Sequence, residues 1–126
     1  MRKICKLHKF TRSLLLLSLG ITAFAQAQTL SMEVWKSPTC GCCNEWISYM
    51  QKNGFEVKVN ETGNYDAHKR FNIKYEHASC HTAVIDGYVI EGHVPAEDIK
   101  RLLAEKPDAI GLSRTGNANW FTRYGR

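Results

Sequence analysis

Thr82-Ala83-Val84-Ile85-Asp86-Gly87-Tyr88-Val89-Ile90 is two short apolar runs around a two-residue turn signal. Asp-Gly tolerates the positive φ angles of the tight turns whose twist suits paired strands, so the stretch reads as a β-hairpin. With Asp86 and Gly87 at the centre, Ile85 faces Tyr88. Counting outward, Val84 faces Val89, Thr82 faces Glu91, His81 faces Gly92 and Cys80 faces His93. Directly opposed residues have Cβ atoms about 5 Å apart. The register therefore sets a thiol against an imidazole just beyond the paired strands, a natural couple of soft and borderline metal ligands.

Outward from the hairpin, Pro95 opens a helix with Ile99, Leu102 and Leu103 on one face, ending before Pro107. Upstream, Tyr65 to Phe71 reads as a short helix and Glu61 to Asn64 as a loop. Phe55, Val57 and Val59 alternate as a strand. Cys43 to Asn53 carries Trp46, Ile47 and Met50 on one helical face, with Gly54 as its stop. Ser37-Pro38-Thr39 supplies helix-start chemistry, and Leu30, Met32 and Val34 alternate as a first strand. The order β-α-β-α-β-β-α, with one crossover and a closing hairpin, predicts an α/β fold with a mixed four-stranded sheet, the thioredoxin-like arrangement.

The first residues read as a secretory signal rather than as fold. Met1 to Arg12 is basic, Ser13 to Phe24 is mostly apolar, and small-residue cleavage patterns follow at Ala23-Phe24-Ala25 and Ala25-Gln26-Ala27. The expected organisation is a signal peptide over 1–27, one domain over 28–111 and an irregular tail over 112–126. The apolar stretch is short for a membrane span, so no stable membrane anchor is expected after cleavage and the mature chain is expected in the periplasm. Five of the seventeen Lys and Arg lie in the first twelve residues, which leaves twelve against twelve Asp and Glu. A chain of near-zero net charge has no positive field to hold phosphates, which removes nucleic acid as a partner.

Cys5 departs with the signal, leaving Cys40, Cys42, Cys43 and Cys80. At a helix start, Cys40 and Cys43 share a face, and the positive end of the helix favours thiolate. That suits disulfide exchange and metal binding alike. Cys42 separates them, since a dithiol pair needs no third thiol. Neighbouring helical residues point about 100° apart, so Cys42 and Cys43 fit poorly on one tetrahedral ion. Thiolates bridging several Cu(I) ions would use all three. Against this stand blander readings: Cys40–Cys43 as a plain disulfide, Cys80 as a buried small residue or a disulfide partner of Cys42, and His81 as an ordinary histidine on the other strand face. His68 and His77 read as solvated, and Trp35 and Trp46 as core or site-shielding aromatics.

Trp35-Lys36-Ser37-Pro38-Thr39-Cys40-Gly41-Cys42-Cys43, with Trp46 after it, resembles the opening of the CopG-like family of small periplasmic copper-handling proteins. The stretch Ser79 to Pro95 is similar to that family's later segment. The resemblance implies a thioredoxin-like fold and a cluster of cuprous ions held by Cys40, Cys42, Cys43 and Cys80, with His93 and His81 beside them. It also implies a role in copper resistance, redox-active or electron-transferring, alongside other periplasmic copper-resistance proteins. This favours a metal-binding or electron-transfer protein over a turnover enzyme. A more distant likeness to glutaredoxins, through Lys36 to Cys43 and the Asp86-Gly87 hairpin, supports the alternative of a thiol-disulfide oxidoreductase using Cys40 and Cys43. Two departures weaken it: Cys42 is extra, and no proline precedes the third strand, where Ser79-Cys80-His81-Thr82 stands instead.

Overall fold

The structure, a computed structural model, describes residues 29–114 and 118–121. β1 (Leu30–Lys36) leads through a turn into α1 (Gly41–Lys52), then β2 (Phe55–Asn60) and α2 (Tyr65–Arg70). A 3-10 turn at Tyr75–His77 precedes β3 (His81–Ile85) and β4 (Tyr88–Glu91). α3 (Ala96–Glu105), β5 (Gly111–Arg114) and β6 (Ala118–Phe121) follow. The strands form one mixed sheet in the order β2-β1-β3-β4-β5-β6. The β1/β2 and β4/β5 pairs are parallel and the others antiparallel.

Apolar periodicity accounts for most of this. Met32 and Val34 on β1 are buried, as are Trp46, Ile47 and Met50 on α1 and Ile99 and Leu102 on α3. They join Ile85, Ile90 and Leu112 in a single core. Each large apolar side chain so buried contributes about 1.5–3 kcal/mol relative to exposure. Gly54, at φ +89°, lets the chain leave α1 in the left-handed conformation expected past a helix end. At the hairpin, Asp86 and Gly87 both have positive φ, 46° and 81°. The ladder pairs Ile85 with Tyr88, Val84 with Val89 and Thr82 with Glu91, as the turn residues dictate.

Two expectations are corrected. The sheet has six strands instead of four, because residues expected in an irregular tail supply β5 and β6. β5 gives no alternating signal: Gly111, Leu112 and Ser113 are all buried. A Cβ at Gly111 would fall 1.6 Å from the Val89 carbonyl oxygen, so glycine is what allows β5 to approach β4. The start of α1 is also different. Cys40 takes the cap position with no side-chain cap bond, while Ser37 and Thr39 bond to each other, Oγ to Oγ1 at 3.1 Å. Lys36 continues the buried face of Met32 and Val34 although it carries a charge; its Nζ donates to the Ser37 carbonyl and, at 3.0 Å, to Glu61. The expected signal peptide and the end of the tail lie outside the described residues. No helix among the described residues is long and apolar enough to cross a membrane.

Candidate metal centre

Parallel pairing of β1 with β2 and antiparallel pairing with β3 bring the β1–α1 turn beside the entry to β3. Lys36, the last residue of β1, lies opposite His81, the first of β3. Each strand thus delivers its cysteine segment to the same end of the sheet.

The first wall is the start of α1. The Cys40 amide donates to the Ser37 carbonyl at 3.1 Å, closing the turn that sets up the helix. Cys43 is fully buried, Cys40 half-buried and Cys42 exposed. Cys40 and Cys43 are joined as a disulfide, with Cα atoms 5.3 Å apart, and Cys42 and Cys80 are free thiols. The Cys42 and Cys40 sulfurs are 3.5 Å apart.

The second wall carries Cys80, His81 and His93. The Cys80 carbonyl oxygen lies 3.7 Å from the Cys43 sulfur. Burial pushes the Cys80 thiol above its ordinary pKa; the Ser79 hydroxyl pulls it down, and the neighbouring Cys42 thiol pushes it up again. His81 Nδ1 is 3.5 Å from the Cys80 sulfur. The His81 ring is fully buried, tilted against Trp46 at 4.4 Å and met edge-on by His93 at 5.2 Å, centroid to centroid. Burial first, then the charge of His93, bring its pKa down to about 4, against a smaller opposing effect of a Gly92 backbone hydrogen bond. Its Nε2 has no hydrogen-bond partner among the described residues. A buried nitrogen left unpaired costs about 1–3 kcal/mol, so it calls for a ligand or a role. His93 is exposed, and its Nε2 donates to the Cys42 carbonyl at 3.3 Å.

The four sulfurs of Cys40, Cys42, Cys43 and Cys80 all lie within 4.8 Å of one another. A second group, the Cys80 sulfur with ring nitrogens of His81 and His93, meets the same limit. Two sulfurs on one ion, each bonded at about 2.3 Å, can be at most about 4.6 Å apart. The observed spacing is therefore within small adjustments of shared coordination. Soft sulfur donors with ring nitrogens of His81 and His93 form a donor set that fits a soft cation. Cys40 and Cys43 can join it only after their bond takes up two electrons and two protons. All six residues singled out in the sequence thus converge at one end of the sheet. Trp46, read as core or shielding, does both: it is 4 % exposed, donates Nε1–H to the Val94 carbonyl at 2.9 Å and covers His81. Trp35 is half-buried and packs on Phe71 instead.

Sequence reasoning missed the polar group behind the second wall. Glu91 is fully buried and accepts hydrogen bonds from the Ser79 amide at 2.9 Å, from Thr82 Oγ1 and from His68 Nε2 at 3.2 Å. Burial raises its pKa, and those three partners pull it back. Asn64 donates to the Ser79 carbonyl at 3.0 Å and to Thr82 Oγ1 at 3.3 Å. His68, expected to be solvated, is instead packed against a buried acid, and His77, also expected to be solvated, is largely covered and lies 3.5 Å from Glu76. The available signal was the register itself, which faces Glu91 with Thr82 inside an apolar sheet.

A family described as "Protein of unknown function, DUF411" matches residues 77–117. No curated protein matches the chain. Two solved structures, "Copper resistance protein copG- Form 1" and "Form 2", are similar to it. The first is 32 % identical with a TM-score of 0.68, covering 79 % of this chain and 93 % of that one. The second is 33 % identical with a TM-score of 0.69, covering 79 % of this chain and 94 % of the other.

Proposed function

This chain belongs to the CopG copper resistance family, and from that premise we propose that it binds Cu(I) as a polynuclear thiolate cluster in copper resistance. Cys40, Cys42, Cys43 and Cys80 serve as ligands, and His93 and His81 complete or flank the site. The observation that carries the reading is the meeting of four sulfurs, from segments thirty-seven residues apart, within 4.8 Å of one another. Thiolate is the ligand type that selects Cu(I), and bridging accommodates the adjacent Cys42 and Cys43. A ring nitrogen of His81 supplies a further donor. Copper is cargo here, and loading requires the Cys40–Cys43 bond to be reduced first, by a dithiol or a small thiol that is itself oxidised. The order β2-β1-β3-β4 supports a thioredoxin-like core, extended by β5 and β6. Signal cleavage after about residue 27 would put the mature protein in the periplasm, where it would act with other copper-resistance proteins and be open to redox change at the site.

One observation favours a second reading. The disulfide between Cys40 and Cys43 is the bond that a thiol-disulfide oxidoreductase would hold when oxidised. In that reading Cys40 is the attacking thiolate and Cys43 the resolving thiol. Cys42→Ser separates the two. Reduced, anaerobically handled wild-type protein should carry several copper ions per chain, and the variant should lose most of them while keeping any dithiol exchange. Unchanged copper stoichiometry in the variant, with active disulfide exchange, would leave the oxidoreductase reading standing and the cluster reading without support.

A further inference from the structure

Cys80 is the sole sulfur of the second wall, and it lies outside β3, where no strand ladder holds it. Its neighbour Ser79 is instead bonded through both main-chain groups. The Ser79 amide donates to Glu91 and the Ser79 carbonyl accepts from Asn64. Glu91 and Asn64 also share Thr82 Oγ1, which donates to Glu91 and accepts from Asn64. The segment that carries Cys80 is thus tied on both sides, residue 79 before it and residue 82 after it, to one buried carboxylate. Gly92 fits the same arrangement: at φ +73°, it would, with a Cβ, meet the Ser79 hydroxyl at 2.6 Å.

We propose that Glu91 is the positioning residue of the copper site, holding the Ser79–Thr82 segment so that the Cys80 sulfur meets the three sulfurs at the start of α1. Among the described residues Glu91 makes no hydrogen bond to a ligand atom, and it acts through the main chain of residue 79 and the side chain of Thr82. A buried carboxylate suits this task, because charged acceptors make the stronger hydrogen bonds and the two oxygens can serve separate donors. His68, the third donor, keeps the acid from being left underbonded in an apolar sheet. Asn64 extends the tie to the loop before α2. The inference rests on the copper reading for its function but not for its geometry.

Two readouts test it in the full mature chain. The first needs no copper. The azo oxidant diamide joins two thiols into a disulfide, taking up their two electrons and two protons as it becomes the hydrazine. Cys42 and Cys80 are the free thiols, already within 4.8 Å. Glu91→Gln should slow their joining on the order of tenfold, and Thr82→Val should slow it less. The second readout is a double-mutant cycle on copper affinity. Glu91→Gln alone should weaken it on the order of 10–100-fold, the range for residues that orient metal ligands. In the Cys80→Ser background it should do nothing further, because its target is gone. An unchanged diamide rate would overturn the proposal, as would fully additive losses, which mark a general structural effect. If Glu91→Gln does not fold, Thr82→Val decides by the same readings. If wild-type protein binds no copper, the copper reading falls and the diamide rates alone judge the role of Glu91.

Discussion

At the start of α1 three thiols fall within four residues, whereas the facing wall offers Cys80 alone, on a segment that no regular element contains. The first wall is built by spacing. A turn closed by the Cys40 amide and the first turn of a helix put the sulfurs together with no side-chain cap and with Cys42 open to solvent. The second wall is built by burial. A carboxylate, a hydroxyl, an amide and an imidazole drawn from β4, β3, the loop before α2 and α2 itself hold one short segment in place. Local geometry tolerates exposure because its contacts are covalent neighbours. Long-range placement needs interior polar bonds, which are worth more, and cost more to break, away from water. Cys42 on the first wall and Cys80 and His93 on the second are all exposed, so the site is open on both walls, and it owes its shape to the buried bonds behind the hairpin side.

Trp46 offers the most damaging way to break that contrast, since it belongs to α1 yet bonds to Val94 and packs against the His81 ring. Trp46→Ala should cost about 3–5 kcal/mol, measured by denaturant unfolding, as for other large buried aromatics. Copper binding by the fraction still folded should fall as well, since the two walls then lose their common backing. A loss below about 1 kcal/mol would mean that the walls stand independently.

A smaller effect sharpens the account of the hairpin side. His81 is neutral in the fold, with a pKa near 4 against the usual 6.5. The unfolded chain therefore binds this proton at higher pH than the folded one does. Its contribution is fully present above about pH 6.5 and is lost as pH falls toward 4, by roughly 3 kcal/mol in the metal-free protein. Glu91, with its raised pKa, works in the opposite sense over the acid range, so the comparison must be made against His81→Leu. Unfolding free energies from pH 7 to 4 should fall more steeply for the wild type than for that variant. Parallel curves would show that His81 is not held neutral by burial.

The smallest effect is expected away from both walls. Lys58 pairs with Glu33 at 2.8 Å on the sheet surface, and its side chain is 72 % exposed. Lys58→Met should change stability by about 0.5 kcal/mol or less and leave copper stoichiometry unaltered. A marked loss of copper there would mean that the site is sensitive to the whole sheet and that the division into two walls is too local.

Much of this was legible in the chain. Asp86-Gly87 defined the turn, the turn defined the register, and the register predicted that Thr82 faces Glu91 and that Cys80 lies near His93. The apolar stripes of α1 and α3 and the alternation of β1 marked the core. β5 was invisible because a strand buried on both faces does not alternate, and because its first residue is a glycine whose value lies in the approach of another backbone. His68 was misread because a histidine on a short helix carries no local mark of the acid that will meet it from β4.

By itself, the sequence determined which sulfurs exist, that three of them share a helix start, and how the hairpin pairs, because each of these depends on neighbours a few bonds or one turn away. Only the tertiary structure decided that Cys80 comes within 4.8 Å of the other three, that His81 is buried with an unpaired nitrogen, and that Glu91 stands behind them. Those facts depend on strand order across the sheet. Burial and distance between segments dozens of residues apart arise only when β1 pairs with β3 and the core closes.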